Sequence, residues 1–357
     1  MNDDHQRHIV FLDRDTMPDA VTVRAPDFPH TMDTYDRTAP DDVAARCKDA
    51  DIVITNKVPL RADALAQIKN LKMVAVAATG TDNVDLKVCA ERGVVVSNIR
   101  AYAMATVPEH TMGLMLSLSR SLRPYHNSVT AGRWKEAGQF CYFDYPVFNL
   151  EGKVLGIIGD GVLGKAVAKR AEAFGMEVRF SAYKGAKGMG PLYTPFEKIL
   201  AESDVITLHC PLMDGTRNLL SDAEFDQMTK KPLIINTARG GLVDEVALVK
   251  ALKQGKISGA GFDVVTTEPI PDDHPFLSIM DRPDFILTPH VAWAGIEAIQ
   301  GLADQLTTLM PMLPARLGTS SHPDFFGAVI IVDGIQVFAP VDPVAHGAEV
   351  FVVRQFV

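Results

Sequence analysis

"VLGIIGDGVLGKAVAKRAEAFGMEVRFS", residues 154–181, decides the fold of this 357-residue chain. An apolar run leads into Gly159, Gly161 and Gly164, a helical pattern follows, and a second β-branched run ends the segment. In such a unit the first glycine permits a tight turn, the second lets backbone amides approach a pyrophosphate, and the third lets the helix pack on the strand. The helix dipole then faces the phosphates. A glycine-rich turn alone is weak evidence, but this strand–turn–helix–strand context predicts a dinucleotide-binding unit.

The residues after the second strand bear on which dinucleotide is bound. Such a strand normally ends in an acid that binds the adenosine ribose 2′-hydroxyl. Here residues 180–184 read "FSAYK", without a carboxylate. The missing acid removes the repulsion that excludes a 2′-phosphate, and Ser181 with Lys184 are candidates to bind one. We therefore expect NAD(P)H as cofactor, with NADPH accepted and a preference for it left open. The alternative is that Lys184 is a solvated surface lysine.

An anion, Asp160, lies inside the glycine turn, close to the expected position of the pyrophosphate. Its side chain must therefore point away from the phosphates.

Short β-branched runs recur along the chain with helical stretches between them. Four precede residue 100 and six lie between 154 and 290: "HIVFL", "DIVITN", "MVAVAAT", "GVVVSN", "VLGIIG", "MEVRFS", "DVITLHC", "LIINT", "AGFDVV" and "FILTPH". Near-continuous apolar strands alternating with helices predict parallel sheets covered on both faces. The apolar periodicity of 106–122 predicts one long helix between the two groups, with Pro108 in its first turn. We expect an α/β protein with two doubly wound parallel-sheet domains.

Composition narrows the class of protein. Hydrophobic residues make up 47% and charged residues 22% of the chain, which is typical of a globular protein. The net charge of −9 and the lack of a basic cluster argue against nucleic acid and anionic membranes as partners. The four cysteines lack CxxC or metal-ligand spacing, so no metal site is expected and a reduced compartment fits them best. With a polar start and no apolar run of transmembrane length, the sequence predicts a cytoplasmic protein.

Polar residues follow three downstream strands: Arg239 after "LIINTA", Glu268 in "GFDVVTTEP" and His290 in "FILTPHVAWA". Ligands of open α/β sheets bind at the carboxyl ends of strands, so these three groups are expected at one crevice. Taken singly, each residue is more simply explained without catalysis. A lone His is usually an ordinary hydrogen-bonded side chain, and a lone Glu usually faces water. Three at equivalent strand ends beside a dinucleotide motif favour a catalytic set.

The residue types suit reduction of a 2-keto acid, which needs hydride at the carbonyl carbon and a proton at its oxygen. His290 can supply the proton near neutral pH. Glu268 can fix the imidazole tautomer and favour imidazolium. Arg239 offers a forked donor to the substrate carboxylate, and its small neighbours let substrate and nicotinamide reach the guanidinium.

From residue 8 to about 306 the sequence resembles the D-isomer-specific 2-hydroxyacid dehydrogenases. The resemblance is carried by "GDGVLG", "HCPLMDGTRNLL", "INTARGGLVDE", "AGFDVVTTEP" and "LTPHVAWA". It implies that Arg239, Glu268 and His290 are catalytic and that Asp263 binds the nicotinamide carboxamide. It also implies that the loop "AATGTDNVD" holds the substrate carboxylate through Thr79 and Gly80. Further cofactor contacts are predicted at Pro211 beside the adenine, at Thr237 and Ala238 along the nicotinamide, and at Val162, Leu163 and Thr216.

The resemblance implies a discontinuous substrate domain of flavodoxin-like type and a Rossmann-type nucleotide domain. The predicted boundaries are 1–102 for the first part of the substrate domain, 103–291 for the NAD(P)-binding domain and 292–308 for the return to the substrate domain. Family members are usually homodimers, and the aromatic stretch 131–148, "AGRWKEAGQFCYFDYPVF", predicts an arm over a partner subunit. The alternative is an arm folded over its own domain.

Within the family, "HVAWA" and "EAGQFCYFDYP" look most like glycerate dehydrogenases, which reduce hydroxypyruvate or glyoxylate. Glu268 argues against formate dehydrogenases, which lack a carboxylate partner of the histidine. Phosphoglycerate dehydrogenase is disfavoured, since no basic cluster for a substrate phosphate is evident and the tail is too short for its usual regulatory domain. Trp293 is expected either to wall the pocket and limit it to short substrates or to serve packing alone.

Two alternatives to this function stay open. One is a dehydrogenase for another short 2-hydroxy acid. The other is a corepressor-like protein on the same fold, which uses dinucleotide binding to control assembly. Turnover of NAD(P)H with hydroxypyruvate discriminates between enzyme and binding module.

The tail 309–357 departs from the family, whose members end in a helix and a segment of the type A-G-x-P-x-N-V-V. Read one base out of frame, codons 309–323 permit D-A-Y-A-A-G-A-P-R-N-V-V-P-S followed by a stop, which is that ending. Our hypothesis is a single-base deletion near codon 308, which sequencing of the gene tests. The rival interpretation is a genuine β-rich appendage, because "AVIIVDG" and "EVFVVRQF" have strand character. Neither gives the tail a catalytic role.

Overall fold

A computed structural model describes residues 6–186 and 188–310, together with the backbone of 327–332 and 335–340. The strands are β1 Arg7–Phe11, β2 His30–Thr34, β3 Ile52–Thr55, β4 Met73–Val76, β5 Val95–Asn98, β6 Val154–Ile158, β7 Glu177–Ser181, β8 Tyr193–Thr194, β9 Val205–Leu208, β10 Leu233–Asn236, β11 Gly259–Phe262, β12 Phe285–Leu287, β13 Gly327–Val332 and β14 Ile335–Pro340. The α-helices are α1 Val43–Arg46, α2 Ala62–Gln67, α3 Leu86–Glu91, α4 Thr106–Ser119, α5 Leu122–Thr130, α6 Arg133–Ala137, α7 Val162–Ala173, α8 Phe196–Glu202, α9 Asp222–Phe225, α10 Glu245–Lys253 and α11 Ile296–Leu309. Short 3₁₀ helices span Arg14–Thr16, Pro40–Asp42, Asp214–Thr216 and Pro275–Ile279.

The chain divides into two compact units. One combines the chain up to Ala103 with the segment from Gly295 onward, and the other spans Met104–Ala294. The predicted boundaries, 102/103 and 291/292, lie close to these, so that Trp293 belongs to the second unit rather than to the first.

The second unit is built on a seven-stranded sheet in the order β12-β11-β10-β9-β6-β7-β8. Every pairing within it is parallel. The strand order therefore reverses between β6 and β9, as in the Rossmann fold, and ligands bind such sheets at that switch point. The predicted nucleotide domain is confirmed.

Apolar side chains cover both faces of this sheet. On one face α4 and α7 contribute Met115, Leu118 and Val167, which pack with Leu155 and Ile235. On the other face α8 and α10 pack in a second buried cluster with the phenyl rings of 262, 276 and 285. Full burial of one such aliphatic side chain stabilises the fold by roughly 1.5–3 kcal/mol. This two-sided burial explains why β6, β9 and β10 read as continuous apolar runs.

In the first unit β2, β1, β3, β4 and β5 form a parallel sheet in that order. This is the flavodoxin-type order, and it confirms the predicted doubly wound second sheet. Beyond β5 the backbone of β14 pairs antiparallel with β5, and β13 pairs antiparallel with β14. The two added strands make this sheet mixed, which differs from the expectation of purely parallel sheets.

The long helix predicted over 106–122 is wrong in its C-terminal turn. α4 ends at Ser119, and Ser121 adopts a left-handed conformation with φ +50° before α5 begins. Pro124 explains the break, because its ring excludes a continuous helix through the preceding turn. The Ser121 hydroxyl donates to the carbonyl of Pro146 at 2.6 Å, which fixes the interrupted segment.

The predicted strand "AVIIVDG" agrees with β13, whereas "EVFVVRQF" lies outside the described residues, as does most of the predicted alternative ending. The frameshift hypothesis stays a prediction.

None of the helices within 6–186 and 188–310 combines the length and hydropathy that a bilayer crossing requires.

Candidate active site

The glycine turn has the shape that a bound pyrophosphate requires. Gly159 has φ +112°, and a Cβ there would lie 2.6 Å from the carbonyl carbon of His209. At Gly164 a Cβ would lie 2.1 Å from the carbonyl oxygen of Gly159, so helix and strand approach closely only without a side chain. A Cβ at Gly161 would instead project into open space at the start of α7. The positive φ of Gly159 and the close approach at Gly164 agree with their predicted functions, whereas the approach of a pyrophosphate to Gly161 stays a prediction.

Beneath this turn lies a half-buried histidine, directly after β9. The Nε2 atom of His209 lies 3.0 Å from the Thr207 hydroxyl, and its Nδ1 has no hydrogen-bond partner among the described residues. Burial lowers the pKa of His209 to about 4. The ring is therefore neutral at physiological pH and serves packing rather than phosphate binding.

This lowered pKa makes stability depend on pH. Between the ordinary pKa of about 6.5 and the folded value, the unfolded chain binds a proton that the folded chain excludes. The free energy of unfolding is thus fully retained above pH 6.5 and falls as pH decreases, by on the order of 3 kcal/mol at pH 4 from this residue. Urea unfolding at pH 7 and pH 4.5 measures the loss, which should be smaller in His209→Gln than in the parent. Equal losses in both proteins would contradict this assignment.

The predicted histidine and glutamate meet. The Nδ1 atom of His290 lies 2.6 Å from Oε2 of Glu268, and the other carboxylate oxygen accepts from the Val265 amide at 3.2 Å. The His290 and Glu268 side chains are 27% and 36% exposed, so the pair is held by the protein but open to a ligand. With Nδ1 directed at the carboxylate, Nε2 is the nitrogen left for substrate.

His290 adopts a left-handed conformation with φ +54°, which is uncommon for a residue with a side chain. Its amide donates to the carbonyl of Asp263 at 2.8 Å. The Asp263 carboxylate accepts from the Thr288 hydroxyl at 2.5 Å and from the amides of Val291 and Ala292 at 2.9 and 2.8 Å. Asp263 thus holds the loop on both sides of the histidine and stabilises its conformation.

Sequence reasoning missed this function of Asp263 and predicted only its contact with the nicotinamide carboxamide. Its carboxylate is fully buried, at 0% side-chain exposure, and is used by the loop itself. His110 completes the network, with Nε2 at 2.9 Å from the Thr288 hydroxyl. The one sequence signal was an acid directly after an apolar strand, since such a group needs several donors to be buried.

Arg239 lies in a turn that glycines make possible. The Asn236 side chain accepts from the amide of Ala238 at 3.0 Å and donates to the Arg239 carbonyl at 2.9 Å. A Cβ at Gly240 would lie 2.0 Å from the Val265 carbonyl oxygen, and Gly241 has φ +80°. The small residues after Arg239 therefore let its loop contact the loop that leads to Glu268.

Strand register brings the three loops to the same end of the sheet, the carboxyl-terminal end of its strands. Asn236, Phe262 and Leu287 are successive partners at the carboxyl ends of β10, β11 and β12. These three strands are followed by Arg239, Glu268 and His290. All three loops therefore leave the sheet at its carboxyl-terminal end, as the glycine turn does.

The two residues predicted to bind a 2′-phosphate have partners within the protein. The Ser181 hydroxyl donates to the carbonyl of Ala182 at 2.7 Å, and the residue is only 6% exposed. The Lys184 ammonium lies 2.8 Å from the buried carboxylate of Glu224. Binding of a 2′-phosphate by Ser181 and Lys184 stays a prediction, which these contacts oppose.

Other predicted residues take the following places. Thr237 is buried and its hydroxyl lies 2.9 Å from that of Thr111, and the Thr216 hydroxyl donates to the Pro211 carbonyl at 2.7 Å. The indole nitrogen of Trp293 donates to the His290 carbonyl at 2.8 Å, so this side chain is fixed beside the histidine.

Two predicted substrate residues, Thr79 and Gly80, lie in the first unit after β4, where the Thr79 hydroxyl donates to the Ile99 carbonyl at 3.0 Å. Their binding of substrate stays a prediction.

Comparison with known proteins agrees with the predicted fold and family. The model of the D-isomer specific 2-hydroxyacid dehydrogenase NAD binding domain matches residues 112–292. The chain is 52% identical to the glycerate dehydrogenase of Methylorubrum extorquens over 301 residues, which cover 84% of this chain and 94% of that protein. It is 38% identical to the hydroxypyruvate reductase of Blautia hydrogenotrophica, over 76% of this chain and 85% of the relative.

Among solved structures, the NADPH-dependent glyoxylate/hydroxypyruvate reductase of Sinorhizobium meliloti, in complex with NADP and malonate, aligns with a TM-score of 0.73 at 27% identity. The alignment covers 87% of this chain and 95% of that chain. By its matched domain and its relatives, this chain belongs to the D-isomer specific 2-hydroxyacid dehydrogenase family.

Proposed function

We propose that this protein reduces hydroxypyruvate to D-glycerate with NAD(P)H, reversibly, and reduces glyoxylate to glycolate as a second reaction. The main support for the proposal is the 2.6 Å contact between His290 and Glu268. It lies at the carboxyl-terminal end of the sheet, where the Arg239 loop and the glycine turn also lie. The substrate class is supported by relatives named glycerate dehydrogenase, hydroxypyruvate reductase and, in Korarchaeum cryptofilum, glyoxylate reductase.

When bound, the nicotinamide supplies hydride to the carbonyl carbon. His290 donates a proton from Nε2 to the carbonyl oxygen, because Nδ1 is engaged by Glu268. Glu268 keeps the ring in that tautomer and stabilises the imidazolium before the transfer. In the reverse direction the neutral ring accepts the hydroxyl proton of the 2-hydroxy acid.

Arg239 anchors the substrate. A guanidinium binds a carboxylate through two parallel N–H donors, which orients the neighbouring keto group as well as holding it. The same cation polarises the carbonyl in the transition state. We infer that Trp293, fixed on the His290 carbonyl, limits the substrate to short 2-keto acids.

The test is a panel of short 2-keto acids, each assayed with NADH and with NADPH by loss of nicotinamide absorbance. Hydroxypyruvate should give the highest kcat/KM and glyoxylate the next. Highest turnover with another acid would make this a dehydrogenase for that acid. Binding of dinucleotide without any turnover would support a corepressor-like binding protein instead. The sequence also predicts that NADPH is accepted, and this prediction depends on the lack of an acid at the end of β7.

We further propose a homodimer that assembles through the arm, residues 131–148. Tyr142 and Tyr145 pack edge-on against Tyr125 of the same unit, at ring-centroid distances of 5.6 and 5.2 Å. Phe140 and Phe143 point outward and are 88% and 86% exposed. Two such rings side by side favour a protein interface over a solvated surface.

Replacing both outward rings should weaken the dimer. In a two-fold interface Phe140→Ser with Phe143→Ser removes four rings, so the dimer Kd should rise at least about a thousandfold. Sedimentation velocity over a range of concentrations measures it. Leu192→Ser is the control, since Leu192 is 81% exposed outside the arm and its loss should change nothing. An unchanged dimer in the double variant would exclude the arm as the interface.

A cytoplasmic location is part of the proposal, since Cys47, Cys89, Cys141 and Cys210 are all free thiols, as in proteins of reducing compartments.

A further inference from the structure

The acid in the glycine turn, Asp160, has a partner that sequence reasoning missed. The Tyr193 hydroxyl donates to Oδ2 of Asp160 at 2.5 Å, the length of a charge-assisted hydrogen bond. This hydrogen bond lowers the pKa of Asp160, so its carboxylate stays ionised. Asp160 is half-buried and can still contact a ligand.

The strand pairing locates this carboxylate. Ile157 of β6 pairs with Phe180 of β7, and Phe180 pairs with Tyr193 of β8. Asp160 follows β6 and Tyr193 lies on β8, so their hydrogen bond bridges the carboxyl end of the strand between them, β7. The end of that strand is where dinucleotide folds bind the adenosine ribose 2′-hydroxyl.

The positive charge expected at this place is already neutralised. Lys184 lies 2.8 Å from Glu224, whose side chain is 5% exposed and whose other oxygen accepts from the amide and hydroxyl of Ser221 at 3.0 and 2.7 Å. A buried carboxylate held in this way needs its cationic partner, because an unpaired buried charge is costly. Lys184 is therefore poorly available for a phosphate.

We propose that Asp160, oriented by Tyr193, replaces the missing acid of β7, accepts the ribose 2′-hydroxyl of NADH and repels the 2′-phosphate of NADPH. The proposal rests on the proposed function only in requiring that the nucleotide unit binds a nicotinamide dinucleotide. It makes Asp160 a specificity-determining residue supplied by the glycine turn rather than by the strand end.

The test is isothermal titration calorimetry of the full chain with NADH and with NADPH, without keto acid. The parent should bind NADH about tenfold or more tightly than NADPH, since a like charge held within a few ångströms opposes the phosphate. Asp160→Asn should remove most of this difference, because NADPH should bind more tightly and NADH less tightly than to the parent. Tyr193→Phe keeps the negative charge of Asp160 but removes the hydrogen bond that orients its carboxylate. The Kd for NADH should therefore rise several-fold, while NADPH stays the weaker ligand.

Glu172→Gln is the control for charge, since it removes the same charge from the exposed C-terminal turn of α7 and should leave both Kd values unchanged. Thermal melting of each variant controls for folding. Equal Kd values for the two cofactors in the parent, or an unaltered ratio in Asp160→Asn, would overturn the assignment while leaving the reductase proposal intact. Failure of the parent to bind either dinucleotide would instead overturn the proposed function.

Discussion

Replacing His290 with Asn should lower kcat for hydroxypyruvate by about 10²–10⁴-fold, the usual contribution of general acid catalysis. Asn is the suitable replacement because His290 has φ +54°, and Asn adopts the left-handed region more readily than most residues. The loop held by Asp263 should therefore keep its conformation, and the variant should lose only the proton donor. Steady-state assays at saturating keto acid and cofactor measure the effect.

Three further measurements make this result specific. NADH should bind the variant with the parent's Kd, since the ring contacts neither the glycine turn nor the ribose end. Glu268→Gln should lose less, about tenfold, because its amide oxygen can still accept from Nδ1 but carries no charge for the imidazolium. His30→Asn in the first unit should be indistinguishable from the parent. A kcat close to the parent value in His290→Asn would remove His290 from catalysis.

The pattern of apolar runs was sufficient to predict the two sheets. Strands covered on both faces must be continuously apolar, and all ten predicted runs correspond to strands, from β1 to β12. Sequence reasoning missed three strands: β14 in the tail, and β2 and β8 at sheet edges. The edge strand β2 reads "HTMDT", and β8 has only two residues. These two edge strands contain no buried residue, so they leave no hydrophobic signature in the sequence.

The grouping of the three candidate catalytic residues was predictable for a related reason. In a parallel sheet the carboxyl ends of neighbouring strands meet at one edge, so polar residues just after β10, β11 and β12 had to leave the sheet together. The 2.6 Å contact itself depends on loop conformations, including the left-handed backbone of His290. Residue patterns carry no direct signal for a positive φ at a histidine.

The ribose end of the site was predicted least well, because its contacts join residues far apart in sequence. Lys184 pairs with Glu224 and Asp160 with Tyr193, forty and thirty-three residues apart. Local reading of "FSAYK" could note a missing acid and a nearby cation. These five residues contain no signal that Asp160 lies near the end of β7 or that Lys184 is already paired.

Replacing Arg239 with Lys should lower kcat/KM for hydroxypyruvate by about a hundredfold, although the charge is kept. Lysine is a point charge on a flexible stem, whereas arginine presents a planar fork that matches a carboxylate. The backbone of the turn is fixed by Asn236 and by the close approach of Gly240 to Val265, so it cannot shift to compensate for the new side chain. Most of the loss should appear in KM, because the fork already holds the carboxylate of the bound substrate.

A second substrate and a second arginine provide the controls for this prediction. With glycolaldehyde, which resembles hydroxypyruvate without its carboxylate, parent and Arg239→Lys should be almost equally slow. The lost fork has no carboxylate to bind there, and the lysine keeps the positive charge that polarises the carbonyl. Arg170→Lys is the matched control, since Arg170 lies on α7 and pairs with Glu109 on α4. It should retain the parent's kcat/KM with both substrates. If Arg239→Lys slowed the aldehyde as much as the keto acid, the planar fork would not owe its effect to the substrate carboxylate, and the anchoring function of Arg239 would be wrong.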